Sequence, residues 1–209
     1  MADRKKRGRD ISGILILDKP LNISSNRAVQ IIKRLYDAKK VGHTGSLDPL
    51  ASGVLPICLG HGTKVSPYLL ASDKTYQFTM KLGETTDTGD AEGRVVHKRE
   101  VPDISEQQIA ALLQAFTGDI QQVPPMYSAL KHKGQRLYDL ARAGQVVERP
   151  ARGVTIKSLS LLSKTSDSLT LEVCCTKGTY VRTLAEDLGE KLGCGAHVTF
   201  LRRIKTGPF

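Results

Sequence analysis

Residues 76–82 read YQFTMKL, with Tyr76, Phe78, Met80 and Leu82 apolar and Gln77, Thr79 and Lys81 polar between them. A period of two places the apolar set on one face of a half-buried β-strand. Leu169, Leu171, Val173 and Cys175 repeat the pattern, and Val198–Ile204 reads as a further strand. Ile14–Leu17 is a short apolar run closed by Asp18-Lys19-Pro20, which predicts a buried strand ending in a turn. Helical spacing separates these segments. Ser24 or Ser25 can cap a helix with the stripe Ala28, Ile31, Ile32 and Leu35. Ser105 and Gln108 form a capping box ahead of Ile109, Leu112, Leu113 and Phe116, and Gly118 ends that helix. Val181, Leu184, Leu188 and Leu192 make a third stripe that stops at Gly193. Strands and helices mix without a regular βαβ rhythm. That predicts an α+β fold around a largely antiparallel mixed sheet.

The 209 residues suffice for one medium domain with a sizeable core. Lys plus Arg number 31 against 21 Asp plus Glu, a formal charge of +10, which favours polyanionic partners. The charge is uneven. Residues 1–10, MADRKKRGRD, read as a flexible basic arm, and 11–209 as the folded domain. Residues 122–150 are polar and basic, begin near Pro124-Pro125 and hold a short helix around Leu137, Leu140 and Ala141. They read either as an insertion that grips a nucleic-acid backbone or as a solvated surface hairpin. Cys58, Cys174, Cys175 and Cys194 form no CxxC pair, which argues against a zinc site or a secreted disulfide framework and for a reducing cytosol. No signal peptide or membrane-length apolar run is visible.

The chemistry concentrates in VGHTGSLDPLASGVLPICLG, Val41–Gly60. One acid, Asp48, sits between Leu47 and Pro49, with glycines at 42, 45 and 53 and with His43 upstream. Glycine and proline shape a tight turn that can expose a side chain at its tip. An aspartate there is most often a turn or cap residue. A second polar cluster, Thr176–Thr183, leaves the strand at Cys175, and Arg182 within it can pair with a carboxylate and hold it ionised. Other chemistries fall away. No phosphate-binding glycine loop or serine-nucleophile elbow is present. Asp87–Gly93 resembles a calcium loop only briefly, since Ala91 stands at position five and no glutamate follows at twelve. The five histidines form no HxH or HxxxH pair.

Here the motif GHTGSLDPLASGVLP closely resembles the catalytic motif of the TruB family of tRNA pseudouridine synthases. GILILDKPLNISSN, SDKTYQFTMKLGETTDTGDAEG, PPMYSALKHKGQRLYDLARAG, KGTYVRTLAEDLGEKLGCGAHV and FLRR match in the family's order, across about Arg9–Ile204. The resemblance implies isomerisation of uridine 55 in the T-loop of tRNA to pseudouridine, in the cytoplasm, by a monomer that needs no cofactor or metal. It implies that Asp48 is the catalytic aspartate, that Arg182 pairs with it, and that Tyr76 stacks on the target base and moves a proton. Tyr180 and Leu201 line the uracil pocket, Lys64 contacts phosphate or charge near the site, and His43 stacks in the space left by the extruded base. One carboxylate is compatible with three routes: attack at C1′, attack at C6, or removal of the 2′ proton. Residues 122–150 become the family's RNA-gripping thumb, and the T-arm is read mainly by shape. Ser46 stands where Ala or Thr is more frequent, and the family's C-terminal PUA-type domain is expected to be absent. A tRNA-folding chaperone and a uracil-releasing hydrolase are the rival readings.

Overall fold

A computed structural model describes residues 8–209, so most of the basic arm at residues 1–10 lies outside the described residues. In chain order the elements are β1 (Gly13–Lys19), α1 (Ser25–Leu35), β2 (Val41–His43), β3 (Ala51–Leu59), a 3-10 turn (Gly60–Val65), α2 (Ser66–Ala71), β4 (Lys74–Leu82), β5 (Glu84–Thr86), β6 (Val95–Lys98) and α3 (Glu106–Ala115). Then come β7 (Gly118–Gln122), β8 (Lys131–His132), β9 (Gln135–Arg136), α4 (Leu137–Arg142), β10 (Arg152–Lys164), β11 (Ser168–Cys175), α5 (Val181–Lys191) and β12 (Ala196–Thr206). The fold is α+β with a mixed sheet and flanking helices. The chain divides into two compact units: one runs up to Tyr76 and takes in Leu201–Phe209, and the other is Gln77–Phe200. Strands β4 and β12 each contribute residues to both.

In the first unit β3 is central. It pairs antiparallel with β1, from Gly13 opposite Leu59 to Lys19 opposite Gly53. On its other side it meets β2 antiparallel at Ile57–Leu59 and β12 parallel at Ala51–Gly53. Ile14 and Ile16 were expected to be buried, but they are 40% and 42% exposed. Ile14, Ile16 and Asp18 share one face of β1, which is left uncovered, while Leu15, Leu17 and Lys19 turn to the covered face. Helix α1 is capped by Ser24, whose side chain accepts from Arg27 N, and it buries Ser25, Ala28, Val29 and Ile32. The expected stripe is thus rotated: Ile31 and Leu35 face out, and Ser25 faces in.

In the second unit β4, β11, β10 and β7 lie side by side, with β10 antiparallel to both β11 and β7. The side chains of Thr79 and Thr170 meet at 2.9 Å across β4 and β11. Phe78, Met80, Leu169, Leu171 and Val173 are buried, as the alternation requires. Ser105 and Gln108 form the expected reciprocal cap on α3. Helix α5 buries Val181, Leu184 and Leu188, as its stripe predicts. Its return to β12 depends on Gly189, where a Cβ would lie 2.4 Å from Ala196 N.

Candidate active site

The loop between β2 and β3 carries Asp48, and it is fixed on both sides. The buried Ser25 hydroxyl donates to Leu47 O at 3.0 Å and accepts from Leu47 N at 2.7 Å. Ala51 N donates to Asp48 O at 3.0 Å, and Asn22 N to Pro49 O at 2.9 Å. Asp48 itself is half-buried. Beneath the loop lies Arg203, only 1% exposed, whose Nε donates to Val54 O at 2.7 Å and Nη2 to Gly45 O at 3.2 Å. These carbonyls stand before and after Asp48, so one guanidinium ties the two ends of the loop together. Lys19 is fully buried and donates to Pro20 O and Ile23 O at 2.8 and 2.7 Å. Register sets Lys19 and Arg203 on opposite sides of Gly53. The buried Lys74 donates to the carbonyls of Leu69, Leu70 and Ser72 at the end of α2.

His43, at the end of β2, has its Nδ1 buried with no hydrogen-bond partner among the described residues. Burial, and then the charge of Arg203, push its imidazole below the ordinary histidine range, which favours the neutral ring. Leu201 pairs with Ala51 across the parallel strands and is buried. Tyr76 is half-buried on β4, and Lys64 is exposed in the 3-10 turn.

The second unit holds Arg182 and Tyr180. Arg182 lies in the first turn of α5, is 5% exposed, and donates through Nη1 to Thr88 O at 2.9 Å and through Nη2 to Tyr127 O at 2.7 Å. Asp90 Oδ2 stands 3.5 Å from Arg182 Nη1. Within this unit, then, the arginine has a carboxylate partner that sequence reasoning did not assign. Asp90 was read only as part of a turn. The turn chemistry is there: Asp90 Oδ1 accepts from Thr88 Oγ1 at 2.7 Å and from Glu92 N at 3.1 Å. Tyr180 is set by the buried Gln122, which accepts from Tyr180 N at 3.0 Å and donates to Tyr180 O at 3.3 Å. Gln122 was expected to open the insertion, but it closes β7 and acts as a clamp. Glu186, four residues along α5 from Arg182, is pushed up to about 7, first by burial and then by Asp187 and Asp90, against the lowering effect of Arg182. Burial also raises Asp187 to about 6.

Among the described residues no group of three or more His, Cys, Asp or Glu could hold a metal ion, and no helix is long and apolar enough to cross a membrane. The family model of the TruB pseudouridylate synthase N-terminal domain matches residues 33–181, and that of the tRNA pseudouridylate synthase B C-terminal domain matches 182–209. This chain belongs to the TruB family. A TruB relative from Chromohalobacter salexigens, named tRNA pseudouridine synthase B, is 58% identical over 206 residues, covering 99% of this chain and 67% of the relative. One of the same name from Pseudomonas paraeruginosa is 60% identical over 209 residues, covering 100% of this chain and 68% of its own length. The solved structure of a Cbf5-Nop10-Gar1 complex aligns at TM-score 0.74 and 31% identity, over 96% of this chain and 50% of that one. A structure of an H/ACA RNP bound to a substrate RNA containing 2′-deoxyuridine aligns at 0.70 and 26% identity, over 100% of this chain and 55% of that one. The chain therefore spans about two thirds of these curated relatives and about half of these solved chains.

The expected TruB site residues fall in both units. His43, Asp48, Lys64, Tyr76 and Leu201 belong to the first, and Tyr180 and Arg182 to the second. Of those in the first, His43, Asp48 and Leu201 border the loop tied by Arg203. Sequence reading missed Ser25, Lys19, Asp90, Gln122 and Arg203. The only local signals for Arg203 were its place in FLRR and the spacing of β12.

Proposed function

We propose that this protein isomerises a uridine of tRNA to pseudouridine, with uridine 55 of the T-loop as its target. The C1′–N1 bond breaks, the base turns and a C1′–C5 bond forms; the proton lost from C5 is balanced by one gained at N1. Asp48 acts at the sugar or the base, with Arg182 as its ionic partner and Tyr76 stacked on the uracil. Tyr180 and Leu201 wall the pocket, and Lys64 offers a charge to the backbone. His43, as a neutral ring, stacks where the extruded base stood, offsetting part of an unstacking cost of about a few kcal/mol. Residues 122–150 grip the T-arm. The protein works as a cytoplasmic monomer without cofactor or metal.

The observation that carries this reading is the Asp48 loop, held by Ser25 on one side and Arg203 on the other, with the imidazole of His43 at the end of β2 just before it. Such preorganisation suits a group that must meet a reacting carbon at fixed geometry. The names of the relatives support the substrate class. The test is pseudouridine formation in an unmodified tRNA transcript with chelator present, comparing the wild type with Asp48→Asn. Turnover lost by at least about a hundredfold in the variant, with RNA affinity retained, is the expected result. Equal turnover in both, or free uracil as product, would overturn the reading.

A further inference from the structure

Three segments of the first unit converge on a cleft of about 300 Å³ lined by Arg9, Asp10, Lys39, Lys40, His61 and Lys64, among others. The backbone holds the three together. Arg9 N donates to Asp37 O, and Lys39 N returns to Arg9 O at 3.1 Å. Gly60 N donates to Lys40 O at 2.9 Å, and His61 N to Ser12 Oγ at 3.0 Å. Two glycines permit the approach: a Cβ at Gly60 would lie 2.2 Å from Ile11 O, and one at Gly62 would lie 2.3 Å from Gly13 O. The rim is exposed and basic. Its one acid, Asp10, is 3.6 Å from Lys39 Nζ. Among the described residues Arg9, Lys40 and Lys64 have no carboxylate partner.

We propose that this cleft binds a backbone phosphate of the same RNA whose uridine is presented to Asp48. The inference rests on the RNA-modifying function proposed above and adds a site to it. Lys40 leads directly into β2, and His43 ends that strand. Three residues of strand separate them, about 10 Å. That is the span of a few nucleotides of backbone, since a nucleic-acid strand carries a phosphate every few ångströms along its length. A strand held at His43 thus carries a neighbouring phosphate to the cleft, where an arginine fork and lysine ammonium groups wait.

The test compares RNA affinity and its salt dependence for an unmodified tRNA transcript bound to three proteins. These are the wild type, an Arg9→Gln/Lys39→Gln/Lys40→Gln variant, and a charge-matched control on exposed residues of α1, Arg27→Gln/Lys33→Gln/Arg34→Gln. The cleft variant is expected to bind at least about tenfold more weakly, with a log K against log salt slope shallower by about one. The control is expected to change both far less. Equal losses in the two variants would reduce the effect to net charge and overturn the cleft, as would unchanged binding by the cleft variant. Lys40→Gln alone, at an exposed side chain, guards against misfolding of the triple variant, and an unchanged slope there counts against the proposal. Failure of the wild type to bind RNA at all would instead sink the parent reading.

Discussion

Around Asp48 the buried charges are cations. Lys19, Lys74 and Arg203 are each less than a tenth exposed, and their described bonds go to main-chain carbonyls. Around Arg182 the pattern reverses: Asp90 is buried beside it, and Glu186 and Asp187 follow on the same helix with raised pKa values. A Cβ at Gly89 would come within 2.9 Å of Glu186 Oε1, so that carboxylate lies against the turn that Arg182 also holds. The difference teaches that the two regions keep charge out of water by different means. The carbonyls that accept from Arg203 do not titrate, so this tie on the Asp48 loop persists across the working pH range. Carboxylates do titrate, so the surroundings of Arg182 change with pH.

The largest expected effect comes from removing the acid that faces the arginine. Asp90→Ala takes away the described carboxylate partner of a buried guanidinium and should cost about 4 kcal/mol in denaturant unfolding. A loss under about 1 kcal/mol would mean that the other partners of Arg182 suffice, and the contrast between the regions would weaken. Arg203→Met removes the guanidinium bonds to Gly45 O and Val54 O and should cost about 3 kcal/mol. It should also lower turnover, since the two ends of the Asp48 loop are no longer tied. Normal turnover in a folded variant would show that the tie does not position Asp48. Ser25→Ala strands the buried amide and carbonyl of Leu47, for about 1–2 kcal/mol. Here kcat should fall while KM stays nearly constant, because the residue set loose precedes Asp48.

The smallest effect is a slope. Glu186 ionises near 7 in the folded protein, against a reference of 4.5, so its contribution to stability is full below 4.5 and fades as pH rises through about 7. Asp187 fades likewise between its reference of 3.8 and about 6. Glu186→Gln cannot ionise, so its unfolding free energy relative to wild type should climb from pH 4.5 to 8, by about 1 kcal/mol after screening at a half-buried group. Parallel curves would show that burial does not oppose this charge.

What the sequence disclosed was local. The YQFTMKL alternation, the Ser105–Gln108 box and the α5 stripe each lie within a dozen residues, and each forms as expected. The longest strand, β10, went unread because Lys157, Ser158, Ser160 and Ser163 interrupt its apolar residues and two bulges break its period. Asp48 was legible because glycine and proline crowd around it. Its supports were not, since Lys19 and Arg203 are cations in strands, a pattern that ordinarily marks a solvent face. Asp90 and Arg182 are far apart in the chain, and no periodicity encodes a long-range ion pair.

Gly53 holds a lesson for anyone scoring variants by activity alone. Its φ is +103°, and a Cβ there would lie 2.1 Å from Arg203 O. Any side chain must push β12 away at the level of Arg203, next to Leu201, and so pull on both ends of the Asp48 loop. A genetic screen would then rank a residue with no functional group beside Asp48. The two would part only when the inactive variants were sorted by whether they still hold RNA.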